Sequence, residues 1–206
     1  MNLAFFGAFN PPTRAHLELA QFAMKKTGAE KVVFVPSKET YISGEQGKDF
    51  AYADDERLAM LRACAASRPW MAVTDWEISQ PNQPYTYETL SHLRRDEGMT
   101  CALLIGSDKL DMLDRWWHIN DLAREFGIVC LVRGTDDCKK AIESSEGLSA
   151  LAPWIRVVET PAETRSISST AARQTVDRIR DFAAELTLIV PEEVARTLLN
   201  TLIQDL

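Results

Sequence analysis

The sequence predicts an α/β fold, a parallel sheet with helices on both faces. Short, continuously apolar runs such as Leu103-Leu104-Ile105 alternate with segments of helical period, the pattern of strands buried on both sides by crossover helices. The first such run, Leu3-Ala4-Phe5-Phe6, leads straight into Gly7 and then, past Pro11-Pro12, into an amphipathic segment, a strand–turn–helix corner. With 206 residues and 46% hydrophobic content the chain can bury one sizeable core. Residues 1–206 are therefore expected to form a single domain, with a helical C-terminal part over about 166–206.

The elements follow in order. Residues 15–26 carry Leu17, Ala20, Phe22, Ala23 and Met24 at helical spacing, and Gly28 ends the helix. A β-branched run over 31–35 is stopped by Pro36. Residues 37–51 are polar, hold Gly44 and Gly47 and have no period; they read as a long loop, a kind that is usually functional or mobile. Helical period returns over 54–66, with Leu58, Leu61 and Cys64 on one face and Asp54 as N-cap. A strand is expected over 71–78, a turn over 80–84 and a helix over 87–97. Buried strands follow at 100–105 and 126–132, and 155–159 is the last. Further helices are expected over 138–151, 169–184 and 191–203. No internal repeat or low-complexity tract interrupts the series.

Charge and composition exclude several classes. A formal net charge of -7 argues against nucleic-acid or anionic-membrane partners, which demand an excess of Lys and Arg; positive charge for an anionic substrate has to be local. Cys64, Cys101, Cys130 and Cys138 form no C-x-x-C pair and read as reduced, structural thiols. The first residues have no basic n-region and only a short apolar run, so a signal peptide or membrane span is not expected, and a cytoplasmic location is. Homo-oligomer formation is compatible with this composition. There is no Gly-x-x-x-x-Gly-Lys-Ser/Thr, no Gly-x-Gly-x-x-Gly after the first strand and no Gly-x-Ser-x-Gly. The histidines, His16, His92 and His118, lack metal-ligand spacing, and His92 beside Arg94 and Arg95 reads as a surface residue.

In an open parallel sheet, ligands bind beyond the carboxyl ends of the strands where strand order reverses. Three segments after expected strands are chemically loaded: 7–16, Gly106-Ser107-Asp108, and Arg133-Gly134-Thr135. In the first, Thr13 can cap the following helix and His16 lies just inside its first turn. Helix N-termini leave N–H groups unpaired and carry the positive end of the macrodipole, so the phosphates of a nucleotide are expected there. Taken singly, Gly7 and Gly106 also read as ordinary strand-end glycines and Arg133 as a solvated loop arginine. A second constellation, Ser166-Ile167-Ser168-Ser169-Thr170-Ala171-Ala172-Arg173, sets hydroxyls before a helix with a guanidinium one turn inside it. This is either a polyphosphate site or a plain Ser/Thr cap with a surface arginine.

Gly7-x-Phe9-Asn10-Pro11-x-Thr13-x-x-His16 resembles the (H/T)-x-G-H signature of the nucleotidyltransferase superfamily, and Ile167-Ser168-Ser169-Thr170-x-x-Arg173 its I-S-S-T-x-x-R signature. Tyr85-Thr86-Tyr87-Glu88-Thr89-Leu90, Gly106-Ser107-Asp108-Lys109-Leu110 leading to Trp116, and Val190-Pro191-Glu192-Glu193-Val194 are similar to stretches of the nicotinate or nicotinamide mononucleotide adenylyltransferases. The resemblance runs over almost the whole chain. It implies a Rossmann-like sheet of nucleotidyltransferase type and transfer of AMP from ATP to a pyridine mononucleotide, with pyrophosphate released in a step of NAD biosynthesis.

The resemblance also implies roles. His16, with Thr13 beside it, would donate to the α-phosphate as charge builds. The backbone of Gly7, Ala8 and Phe9 would let the nucleotide approach. Ser168, Ser169, Thr170 and Arg173 would hold the outer phosphates, and Asp108 after Gly106 a ribose hydroxyl. Mg²⁺ is expected on the ATP phosphates with few direct protein ligands and no dedicated metal site. The pyridine ring would lie near Thr86, Thr89 and Trp116, with Arg133 toward the acceptor phosphate and Lys48 or Lys38 reaching in from the long loop; at least one of Trp116 and Trp117 is expected in the core.

The chain departs from the pattern in places. Ala15 stands where the signature has glycine, putting a methyl at a close approach, and Ala172 where a larger aliphatic is common. The 37–51 loop lacks the Pro-His-Lys pattern of many nicotinate-type members, which leaves the acid or amide preference open. Two other readings share the signatures: a sister enzyme acting on phosphopantetheine or a polyol phosphate, and a nucleotide-binding sensor without turnover.

Overall fold

Six strands form one parallel sheet among the described residues: β1 (Asn2–Gly7), β2 (Val32–Pro36), β3 (Met71–Val73), β4 (Cys101–Gly106), β5 (Ile128–Leu131) and β6 (Ile155–Val158), in the order β3-β2-β1-β4-β5-β6. The computed structural model describes residues 1–46, 50–132, 136–160, 169–191, 194–195 and 199. The chain divides into two compact units, Met1–Ile167 and Ser168–Leu206. All pairings in the sheet are parallel. The chain builds outward from β1 on one side as far as β3, then returns to pair β4 with the other edge of β1. Strand order therefore reverses between β1 and β4, where the crossover helices part to opposite faces, the place at which open parallel sheets bind their ligands.

Alternate residues of each strand point to opposite faces, and both faces are apolar. Ala4, Val33, Leu103, Ile105, Ile128 and Cys130 belong to one buried cluster; Leu3, Val32, Phe34, Ala102, Leu104 and Val129 belong to the other. The helices α1 (Arg14–Thr27) and α3 (Asp54–Ala66) cover the second face through Ala20, Ala23 and Leu61. The first face is covered by α5 (Thr86–Arg95) and α7 (Ile119–Phe126) through Leu90, Leu93, Leu122 and Phe126, and by α8 (Cys138–Ser144) and α9 (Glu146–Leu151) through Ile142, Leu148 and Leu151. Short helices α2 (Glu39–Ser43), α4 (Trp76–Ser79) and α6 (Leu110–Leu113) complete the first unit, and α10 (Ser169–Ile189) runs through the second. The four cysteines are free; Cys101, Cys130 and Cys138 are buried.

Several sequence expectations are corrected. The expected strand over 71–78 ends at Val73, because Thr74 caps the next turn, its Oγ1 accepting from the Trp76 N–H at 3.3 Å, and α4 follows. The helix expected over 138–151 breaks at Ser145, whose hydroxyl accepts from the Leu148 N–H at 3.3 Å and restarts the chain as α9. The long loop contains α2, with buried Ile42 as its apolar foothold. Asp54 is the first residue inside α3 rather than its cap; Ala53 holds the cap position, and its N–H donates to Glu56 Oε2 at 2.9 Å. His92, expected at the surface, is half-buried: its side chain is 20% exposed and stacks on Trp76 at 4.5 Å, with Asp96 and Glu97 on its ring nitrogens. The helix α10 extends past the expected end at 184. Most of the helix expected over 191–203 lies outside the described residues.

Candidate active site

At the reversal point β1 and β4 end side by side. Phe5 pairs with Leu104, and two residues further both strands reach a glycine, Gly7 and Gly106. At Gly7 the fit is tight: a Cβ there would lie 3.1 Å from the Phe9 ring, which would have to give by a few tenths of an ångström. Phe9 turns back with φ 42°, is 1% exposed, and packs its ring on Phe5, Phe34 and the edge of His16. Its side chain thus belongs to the core, and only its backbone faces the turn.

Thr13 caps α1, as the sequence predicts. Its N–H donates to His16 Nδ1 at 3.0 Å, and its Oγ1 lies 2.8 Å from the same nitrogen. A backbone N–H can only donate, so Nδ1 carries no proton in this arrangement and the neutral ring keeps its proton on Nε2. With Phe5 and Phe9 against the ring at centroid distances of 6.2 and 5.2 Å, the imidazole is fixed in both tautomer and orientation. Ala15, the departure from the signature glycine, is buried in the first turn of α1.

After β4, Ser107 is buried and its hydroxyl donates to Asp136 Oδ2 at 2.6 Å, linking this rim to the segment after β5. Asp108 is exposed, with Lys109 Nζ 3.6 Å away. Thr86 opens α5 and is half-buried, whereas Thr89 is fully buried and its hydroxyl donates to Glu77 Oε1 at 2.6 Å. Trp116 packs on the core, while Trp117 is 43% exposed and stacks on Tyr85 at 5.0 Å. Lys38 is tied down: its Nζ donates to the carbonyls of Ile78 and Gln80, each at 2.6 Å.

Lys48, Arg133 and Ser168 lie outside the described residues. Ser169, Thr170 and Arg173 open α10 in the second unit, with Arg173 half-buried. Among the described residues no group of three or more His, Cys, Asp or Glu side chains is arranged to hold a metal ion, and no helix is long and apolar enough to cross a membrane.

Three residues to which the sequence gave no role shape the corner. Asn10, 1% exposed, donates from Nδ2 to Phe50 O at 2.7 Å and accepts from the Tyr52 N–H at 2.9 Å. Arg57 is buried under the same turn; desolvation holds its guanidinium below the ordinary value, with Asp54 opposing. Glu77 is 2% exposed, and burial pushes its carboxyl up to about 7 against hydrogen bonds from Thr89 and Gln83. One signal was readable for Arg57: a cation in the first turn of a helix opposes the macrodipole and needs another partner.

The Cytidylyltransferase-like family model matches residues 4–175. A probable nicotinate-nucleotide adenylyltransferase of Listeria monocytogenes is 32% identical over 122 residues, covering 57% of this chain and 62% of the relative. One from Clostridium acetobutylicum is 28% identical over 192 residues, 92% of each chain. Among solved structures, the Plasmodium falciparum nicotinic acid mononucleotide adenylyltransferase complexed with NaAD superposes with a TM-score of 0.62 over 84% of this chain and 82% of that one, at 17% identity. That likeness establishes the shared α/β fold.

Proposed function

The chain belongs to the Cytidylyltransferase-like family, and from that membership we propose that it moves AMP from ATP to nicotinate or nicotinamide mononucleotide, giving the dinucleotide and pyrophosphate. The relatives named nicotinate-nucleotide adenylyltransferases support the substrate pair. The observation that carries the reading is the fixed imidazole at the reversal point of the sheet: His16, its Nδ1 held by Thr13, lies in the first turn of α1 beside the turn after Gly7.

A phosphate oxygen of the mononucleotide attacks the α-phosphorus of ATP, the bond from that phosphorus to the bridging oxygen of the β-phosphate breaks, and pyrophosphate leaves. Both reactants are anions, so the protein's work is alignment and stabilisation of charge. In this reading His16 donates to an α-phosphate oxygen as charge grows, and the N-terminus of α1 adds its positive end. Ser168, Ser169, Thr170 and Arg173 hold the outer phosphates and the leaving pyrophosphate, Asp108 a ribose hydroxyl, and Arg133 and Lys48 the acceptor phosphate. Thr86 and the aromatic pair Trp116 and Trp117 border the pyridine ring; Thr89 acts from behind, through its bond to Glu77. Mg²⁺ would accompany ATP and offset phosphate charge, with few direct protein ligands. A cytoplasmic location fits these substrates.

The test is a side-by-side assay of MgATP with each mononucleotide, scored by dinucleotide and pyrophosphate. Formation of both products with either mononucleotide is expected. Turnover only with phosphopantetheine or a polyol phosphate would replace the acceptor, and nucleotide binding without pyrophosphate release would replace the enzyme reading.

A further inference from the structure

Arg57 is 0% exposed and its donors diverge onto three separate segments. Nη1 donates to Ala8 O at 2.7 Å, Nη2 to Ser37 O at 2.6 Å, and Nε to Tyr52 O at 3.0 Å. Nη2 also pairs with Asp54, whose Oδ1 accepts from the Glu39 N–H at 2.7 Å. The turn after β1, the residue after β2 and the approach to α3 thus meet on one guanidinium. Asn10 repeats the link from the other side by holding Phe50 O and the Tyr52 N–H.

We infer that Arg57 is a positioning residue for the proposed adenylyl transfer, one that fixes the peptide between Ala8 and Phe9 in the phosphate turn and locks the flanks of the 37–53 segment to it; the inference rests on the function proposed above. Burying a cation costs several kcal/mol, and apolar residues of similar volume often hold a core equally well. An apolar side chain cannot orient carbonyl groups, whereas the planar fork of arginine can. A trans peptide keeps its C=O and N–H on opposite sides. The bond from Arg57 to Ala8 O therefore sets the heading of the Phe9 N–H as well, in the turn between Gly7 and Thr13 where the nucleotide phosphates are assigned.

Arg57→Lys keeps the charge but replaces the fork with a single point donor. The expected result is a kcat lowered about 10- to 100-fold, the cost of slight misplacement of reacting groups. The KM for mononucleotide should stay within about twofold and the folded fraction should be unchanged by circular dichroism. A folded Arg57→Lys enzyme with wild-type kcat overturns the inference, as does a loss that tracks the folded fraction alone. If the variant does not fold, ¹⁵N amide shifts of the wild-type protein on adding MgATP decide: Ala8 and Phe9 should be among the strongest responses, and silence there overturns the idea. Absence of dinucleotide from the wild-type protein with either mononucleotide would instead sink the proposed function, and the amide response to MgATP would still test the role of Arg57.

Discussion

His16 is held in place on one ring nitrogen and against two aromatic rings. Its Nδ1 faces the Thr13 N–H and hydroxyl, and two phenylalanine rings hold the imidazole plane. Replacing it with alanine removes one preorganised donor, so His16→Ala should lower kcat by about 10² to 10³ with little change in mononucleotide KM, measured by steady-state kinetics. Glu77 gives a pH-dependent counterpart. Burial raises its carboxyl to about 7 in the folded chain, above the unfolded value, so the folded state binds the extra proton. Its contribution to stability is fully present below the unfolded value, near 4.5, and is lost as pH rises through about 7, each unit of the rise corresponding to about 1.4 kcal/mol. Urea unfolding should therefore show stability falling across that window in the wild type, and a flatter profile in Glu77→Gln. The placement of Thr13 at the cap and His16 in the first turn of α1 was legible in the sequence; the chemistry proposed for them came from the family resemblance. The burial of Arg57 and Glu77 was not legible, because burial is a property of the assembled core and a charge in a helical segment reads as solvated; the position of Arg57 in the first turn of α3 was its one readable signal.

At the level of elements, punctuation was the most legible part. Gly28 ends α1 with φ 74°, its N–H bonded to Met24 O at 3.0 Å, and Lys25 and Lys26 sit in the last turn. Nothing lies within 4 Å of a Cβ placed there, so Gly28→Ala pays only for the left-handed backbone. It should cost about 1 kcal/mol in denaturant unfolding and leave kinetics unaltered. The misread elements share a cause, a short polar side chain that caps the backbone: Thr74 after β3 and Ser145 between α8 and α9 each turn a side-chain oxygen onto a nearby backbone N–H. The helix α7 went unpredicted although Ile119, Leu122, Ala123 and Phe126 repeat at helical spacing and are all buried. Inside the long loop, α2 is too short for its period to show, and tertiary bonds such as Asp54 Oδ1 to the Glu39 N–H set it instead.

For the whole molecule, the sheet class followed from the alternation of apolar runs with helical segments. The strand order did not, because which edge of β1 accepts β4 is settled by packing across the sheet. That order has a consequence for synthesis. The strand β1 is translated before both its neighbours, and the second of them, Cys101–Gly106, emerges only on the order of ten seconds later at ribosomal speed. Until then the edge of β1 that pairs with β4 lacks its partner, and an unpaired strand edge is a template for mispairing with other chains. Molecular chaperones would find their clearest target on this half-made protein.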